Sequence, residues 1–366
     1  MFLGPIGIAG VLWDYRCGLR KLGVDAQLIL WYQHEFKYGY DELCDTSGLI
    51  PRRAFYYVTN MIEKKIYGSD WVTKTMLELR NRDKIEDFIQ RFDVFHFRSG
   101  HSLVPHNADV RSLKKAGKKI VMTYWGCDSR CASAALSSNY PEKACLCKLS
   151  GRCRRPCRYT KKVNMIKYWS KNADMIFSGL TNSSLLDFLG VPYELAIIPI
   201  DTEHWKRFES EIKKDKLLIV HAPSSVYKGT TKITDSVHQL QKKYDFDFKV
   251  IQGVPNETVR EWLNVADIVV DQFGMGGWYG RLSVESMSMG NPTLSHIKDE
   301  HKETHKQFSD LPIINITPDT LYDRLEELII DPGLRKKIGK ESRKYVENIH
   351  SSDVVCKRLL DTYRRL

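Results

Sequence analysis

The segment that decides the architecture reads Leu217-Leu-Ile-Val-His221-Ala-Pro-Ser-Ser-Val-Tyr-Lys228-Gly-Thr230. Leu217–His221 is a short, almost unbroken apolar run, the pattern of a parallel strand buried on both faces. Small residues and a lysine follow, and helical spacing sets in over Ile233–Lys243. Strand, loop and helix in that order leave free N–H groups at a helix mouth, where the helix dipole favours an anion. Lys228 adds a full charge, and Ser224 and Ser225 add hydroxyl donors. The segment therefore reads as a phosphate site, set against the plainer alternative of a βα turn with a solvated lysine.

A second strand–loop–helix unit follows. Ala266-Asp-Ile-Val-Val-Asp271 leads into Gln272, then Gly274, Gly276, Gly277, Trp278, Tyr279 and Gly280, and a helix over Leu282–Met289 carries Glu285. A glycine-dense loop lets backbone approach a ligand closely. Glu285, one turn into its helix, can aim a carboxylate at that ligand or simply complement the helix dipole. Gln252, Gly253 and Val254 follow another short apolar run, in a loop whose shape would bear on ligand selection.

The same alternation extends over the whole chain. Strand-like runs occur at Ala26–Trp31, Val94–Phe97, Ile120–Tyr124, Met175–Phe177 and Leu195–Ile198, and again at Leu217–His221, Phe248–Ile251, Ile268–Asp271, Thr293–Leu294 and Ile313–Ile316. Helical spacing marks Val11–Leu22, Val259–Val265, Leu321–Ile329 and Val354–Tyr363. Alternating β and α predicts a doubly wound α/β architecture, here as two Rossmann-like domains. The boundaries fall at 1–200, 201–350 and 351–366, with the last helix packing back on the first domain. His96, Arg98 and His101 follow a strand at its C-terminal end, the edge that faces the ligand crevice in such sheets.

The 366 residues carry 56 Lys and Arg against 45 Asp and Glu, a net charge of +11. That excess favours acidic partners without choosing among them. Most of the charge is spread along the chain, which argues against a dedicated nucleic-acid arm. No run of about 18 apolar residues occurs, so no transmembrane helix is expected. Met1–Trp13 lacks a basic n-region and reads as a strand entering a glycine turn rather than a signal peptide. Together these point to the cytoplasm, with room for peripheral contact at the inner membrane face.

Six of the nine cysteines fall between Cys127 and Cys157. Cys145, Cys147, Cys153 and Cys157 are close enough in sequence to hold one tetrahedral zinc. Local disulfides, an Fe–S cluster or unbound thiols remain open. His296, His301 and His305 sit in a charged stretch that reads as solvated surface.

Lys228-Gly229 after Ala-Pro-Ser, Ala266-Asp267, and Tyr279-Gly280-x4-Glu285-Ser-Met-Ser-Met-Gly290-x-Pro292 together resemble the retaining GT-B glycosyltransferases of the family 4 type. The N-terminal half fits more loosely, through Gly7–Gly10 and through Gly117–Arg130. The resemblance implies two domains facing a central cleft, a nucleotide-sugar donor, no catalytic metal, and a glycan or lipid-linked glycan acceptor in surface polysaccharide or glycan synthesis. It implies that Lys228 holds the donor diphosphate and Glu285 the ribose hydroxyls. Gly7 and Gly10 would close over the diphosphate, with Ser224, Ser225, Gly253 and Gly276–Gly280 lining the donor. His96, Arg98, Trp125, Asp128 and Arg130 would face sugar and acceptor, Asp128 in a catalytic role, and the insertion 127–157 would shape the acceptor mouth.

Three positions depart from the family pattern. Its first paired glutamate would stand at Gly277, a frequent histidine would stand at Trp125, and no arginine occupies Ser224 or Ser225. A degenerate non-catalytic relative, a nucleotide-sugar epimerase and, more remotely, a basic Cys-rich nucleic-acid module are the competing readings.

Overall fold

The computed structural model describes residues 1–7, 9–34, 36–44, 70–126, 128–129, 159–224, 228–273 and 277–366. Two all-parallel sheets organise them, with strand orders β3-β2-β1-β4-β5-β6-β7 and β12-β11-β10-β8-β9. The first sheet comprises β1 (Phe2–Gly4), β2 (Gln27–Leu30), β3 (Glu42–Leu43), β4 (Val94–Arg98), β5 (Lys119–Tyr124), β6 (Met175–Ser178) and β7 (Glu194–Leu195). The second comprises β8 (Leu218–His221), β9 (Asp247–Val250), β10 (Ile268–Val270), β11 (Thr293–Ser295) and β12 (Ile314–Asn315).

In the first domain the helices are α1 (Val11–Lys21), α2 (Asp70–Arg80), α3 (Arg82–Arg91), α4 (Val110–Lys115), α5 (Tyr159–Asn172) and α6 (Ser184–Phe188). The second holds α7 (Thr230–Gln241), α8 (Asn256–Val265), α9 (Arg281–Ser288), α10 (Asp299–Thr304), α11 (Leu321–Ile330) and α12 (Pro332–Ile349), and α13 (Ser352–Tyr363) follows.

The inner strands are apolar because both sheet faces are covered there, whereas the edge strands β3 and β9 are partly exposed and carry charged residues. One face of the first sheet packs Phe2, Phe95 and Phe97 against Phe88 and Phe92. The other packs Leu3, Leu28 and Val121 against α1 and α13. Helix α1 presents Val11, Leu12, Tyr15 and Leu19 on one stripe, and α13 covers it with Val355, Cys356, Leu359 and Tyr363. Gly18 permits that approach, since a Cβ there would lie 2.5 Å from Cys356 Sγ and 2.9 Å from the Ser352 carbonyl. The C-terminal helix thus belongs to the first domain.

The chain crosses between domains twice, and the crossings are paired. Ile200 N–H donates to the His350 carbonyl and Ser352 N–H to the Ile200 carbonyl, both at 2.8 Å. His350 is buried there. Its Nδ1 donates to the Ile198 carbonyl at 2.8 Å, which leaves Nε2 to accept from Tyr279 Oη at 2.9 Å. Burial lowers His350 to about 4. Among the described residues, no helix is long and apolar enough to cross a membrane.

In each sheet the strand order reverses once, between β1 and β4 and between β8 and β10. Loops diverge at such a point and leave a crevice beyond the strand ends.

Candidate functional site

At the second reversal, His221 ties β8 to its surroundings. Its Nδ1 donates to the Val270 carbonyl at 2.8 Å, and Nε2 accepts from Thr230 Oγ1 at 3.0 Å. The loop between them turns through Gly229, at φ +87°, where a Cβ would lie 2.5 Å from the Phe273 ring. That turn delivers Lys228, only 6% exposed, to Asp271 at the end of β10, with Nζ to Oδ1 at 2.5 Å. Asp271 Oδ2 accepts from Ser283 Oγ at 2.6 Å and from Gly280 N–H at 3.4 Å. Burial alone would raise this carboxyl, but the Lys228 charge and these hydrogen bonds bring it below the ordinary carboxylate range.

Helix α9 starts at the same place. Arg281 and Glu285 share one of its faces, and Arg281 Nε donates to Glu285 Oε1 at 2.7 Å. Arg281 Nη1 reaches Asp14 Oδ2 of α1 at 2.5 Å, so this guanidinium joins one carboxylate from each domain. Burial raises both the Asp14 and the Glu285 carboxyls, and Arg281 works against it in each. Burial would lower Arg281, but the two carboxylates raise it instead. Asn256 Nδ2 also donates to Glu285 Oε1, at 3.3 Å. Both bonds fall on Oε1, and no described residue donates to Oε2.

Lys228, Asn256, Arg281 and Glu285 border a cavity of about 700 Å³ between the domains. The first domain lines it with His34, Phe36, Tyr38, Arg98 and Trp125, the second with Lys228, Gly253, Gln272, Trp278, Arg281 and Glu285. Arg98 is 4% exposed at the end of β4, and burial lowers its guanidinium to about 10. Arg98, Lys228 and Arg281 present three cations to the cavity wall; Lys228 and Arg281 are each backed by a carboxylate, Asp271 and Asp14, that does not line it. Trp125 Nε1 and Gln272 Oε1 are buried without a hydrogen-bond partner among the described residues. Each such group costs about 1–3 kcal/mol, which a hydroxyl-rich ligand offsets.

Of the residues singled out by sequence, Ser224, Trp278, Tyr279 and Gly280 also line the cavity. Gly10 caps α1 at φ +65°, with Tyr38 and Arg281 so near that a Cβ would lie within 3.2 Å of both. Gly7 instead packs on Leu30. Gly277 turns at φ +70°, and a Cβ there would lie 2.3 Å from Lys298, so the glutamate of the family pattern does not fit.

Two further expectations are corrected. His96 is fully buried beneath the cleft, bonded to Tyr363 Oη at 2.6 Å and Thr123 Oγ1 at 2.5 Å, so it fastens α13 to the sheet and does not face a sugar. Asp128 spends its carboxylate on the N–H groups of Trp125, Gly126 and Ser129 and shapes its own loop. Ser225, Gly276, Arg130, Cys145, Cys147, Cys153 and Cys157 lie outside the described residues, as does nearly all of the insertion 127–157. Among the described residues no three His, Cys, Asp or Glu side chains converge as a metal site. Sequence reading passed over Asp14, Arg281 and the aromatic residues 34, 36 and 38. The spacing Arg281-x3-Glu285 was the available signal for one of them.

Superposed on solved structures, the chain matches the Anabaena protein HepE in complex with UDP and glucose. The TM-score is 0.65 at 12% identity, covering 100% of this chain and 99% of that one. The chain has the GT-B fold. A glycosyltransferase from Rickettsia africae gives a TM-score of 0.61 at 12% identity, over 100% and 97% of the two chains. Sucrose-phosphate synthase from Thermosynechococcus elongatus gives 0.61 at 11%, over 96% and 91%. At such identities the likeness concerns architecture. No protein-family model and no curated protein matches the sequence.

Proposed function

We propose that this GT-B protein is a glycosyltransferase that moves a sugar from a nucleotide-sugar donor to a glycan or lipid-linked glycan, with retention of configuration. One observation carries the reading: Lys228, paired with the buried Asp271 at the reversal of the second sheet, lines the interdomain cavity. The diphosphate lies against Lys228 and the start of α7. The ribose hydroxyls donate to Glu285 Oε2. Trp125 Nε1 and Gln272 Oε1 take hydroxyls of the sugar or acceptor. As the donor bond breaks, negative charge grows on the diphosphate, and a buried lysine with helix N–H groups stabilises it without reorganising. The diphosphate oxygen takes the acceptor proton on the face it leaves, which gives retention.

A thermal-shift panel of nucleoside diphosphates and nucleotide sugars tests this, starting with UDP and UDP-glucose. A ligand at 100 times its Kd stabilises by about 2.7 kcal/mol, a readily seen shift. Stabilisation of wild type but not of Lys228→Ala is the expected result. No shift with any nucleotide removes the function and favours a degenerate protein. Turnover of the nucleotide sugar without any acceptor would favour an epimerase.

A further inference from the structure

The loop after β2 reaches over the cleft. Its Phe36 carbonyl accepts from the Asn256 N–H of α8 at 3.4 Å, a backbone contact between domains. Three aromatic rings cluster on it and line the cavity. His34 and Phe36 have ring centroids 4.8 Å apart, and Phe36 and Tyr38 are 6.4 Å apart. The Arg281 guanidinium lies 5.6 Å from the Tyr38 ring.

The loop is held in this shape by its own bonds. His34 Nδ1 accepts from Phe36 N–H at 3.2 Å, and Lys37 N–H donates to the His34 carbonyl at 2.9 Å. Gly39 lies so close on Trp13 that a Cβ would be 2.7 Å from the indole. The rings are thus pre-positioned, which lowers the ordering cost of binding.

Their place along the cavity indicates what they meet. Lys228 marks the diphosphate end and Glu285 the ribose end. Asn256 bonds both to Glu285 and, through its N–H, to Phe36, so the aromatic cluster begins where the ribose site stops. The second domain lines the cavity there with Gln252, Gly253 and Val254, and a Cβ on Gly253 would touch nothing within 4 Å.

Phe36 and Tyr38 stand at 89° to each other and His34 and Phe36 at 51°, so a planar base lies face-on against one ring only. We infer that Phe36 is the stacking platform for the nucleobase, with His34 and Tyr38 as walls beside it, so that the nucleoside is gripped between the two domains. The inference rests on the donor reading above. It makes a loop of the first domain a determinant of nucleotide affinity, by the aromatic stacking that holds bases of any identity.

Isothermal titration with UDP, GDP and ADP, and separately with inorganic pyrophosphate, tests it on wild type, Phe36→Leu and Tyr38→Leu. Stacking on one ring is worth enough that Phe36→Leu should lose about ten-fold or more in nucleoside diphosphate affinity, and Tyr38→Leu less. Pyrophosphate affinity should stay as in wild type. Phe36→Trp should bind nucleotide at least as well as wild type. Circular dichroism and unfolding confirm that each variant folds, and Phe36→Leu carries the test if Tyr38→Leu disturbs Arg281. Unchanged nucleotide affinity, or equal losses for nucleotide and pyrophosphate, overturns the inference. If wild type binds pyrophosphate no more weakly than any nucleotide, the platform fails and the phosphate site stands. If wild type binds neither, the donor reading falls and takes the platform with it.

Discussion

Lys228 and Asp271 are buried together, so removing either alone strands a charge in a wall that water barely reaches. Lys228→Met should destabilise the protein by about 3–5 kcal/mol. The double variant Lys228→Met/Asp271→Asn should recover most of that loss in urea unfolding, while nucleotide binding stays absent. A double variant no more stable than the single one would mean that the pair is held by something other than its charges. His96 offers a pH test. Burial, aided by the Arg98 charge, lowers its imidazole to about 3. Free in the unfolded chain it protonates below about pH 6.5, so acid favours unfolding. His96→Gln removes that proton uptake. Its stability should fall less steeply than wild type between about pH 6 and 4, by up to about 1.4 kcal/mol per pH unit.

At the scale of elements, strands were the most legible feature, because a parallel strand covered on both faces has no polar side to obscure its apolar run. The expected strands match observed ones to within a few residues, as Ile120–Tyr124 against Lys119–Tyr124 illustrates, whereas the two-residue edge strand β3, Glu42–Leu43, has no apolar run to announce it. Helix α12 was passed over because its surface is highly charged: Pro332–Ile349 holds Lys336, Lys337, Lys340 and Lys344 around a narrow buried stripe of Gly339, Ser342, Tyr345 and Val346. The Lys228 and Glu285 positions were readable because they belong to local strand–loop–helix units. Asp14 and Tyr38 were not, since each acts across a domain boundary that no local pattern encodes. His96 misled for a related reason: the strand end does face the crevice, but the C-terminal helix lies over it. The tight contact between α1 and α13 is also testable. Gly18→Leu overfills the gap, should cost at least about 1–3 kcal/mol, and should show as a lowered denaturation midpoint. A midpoint equal to wild type would mean that the helices can separate freely.

At the scale of the whole molecule, the Asp14–Arg281–Glu285 bridge is a buried charged contact that draws the domains together. It places a carboxylate of α1 and a carboxylate of the ribose site on one guanidinium. Asp14→Asn removes one of these charges, which should weaken closure by about 2–5 kcal/mol. Small-angle scattering should then give a larger radius of gyration for the unliganded variant than for wild type. Equal radii would assign closure to the apolar and backbone contacts alone.

The return of α13 to the first domain has a consequence for biosynthesis. Its partner stripe on α1 is made roughly 330 residues earlier, so at ribosomal speed Leu12, Tyr15 and Leu19 wait on the order of tens of seconds for their cover. Over that interval the nascent first domain carries an open apolar seam, a natural docking place for chaperones. A supplied peptide spanning 350–366 should close that seam on a fragment ending near residue 200.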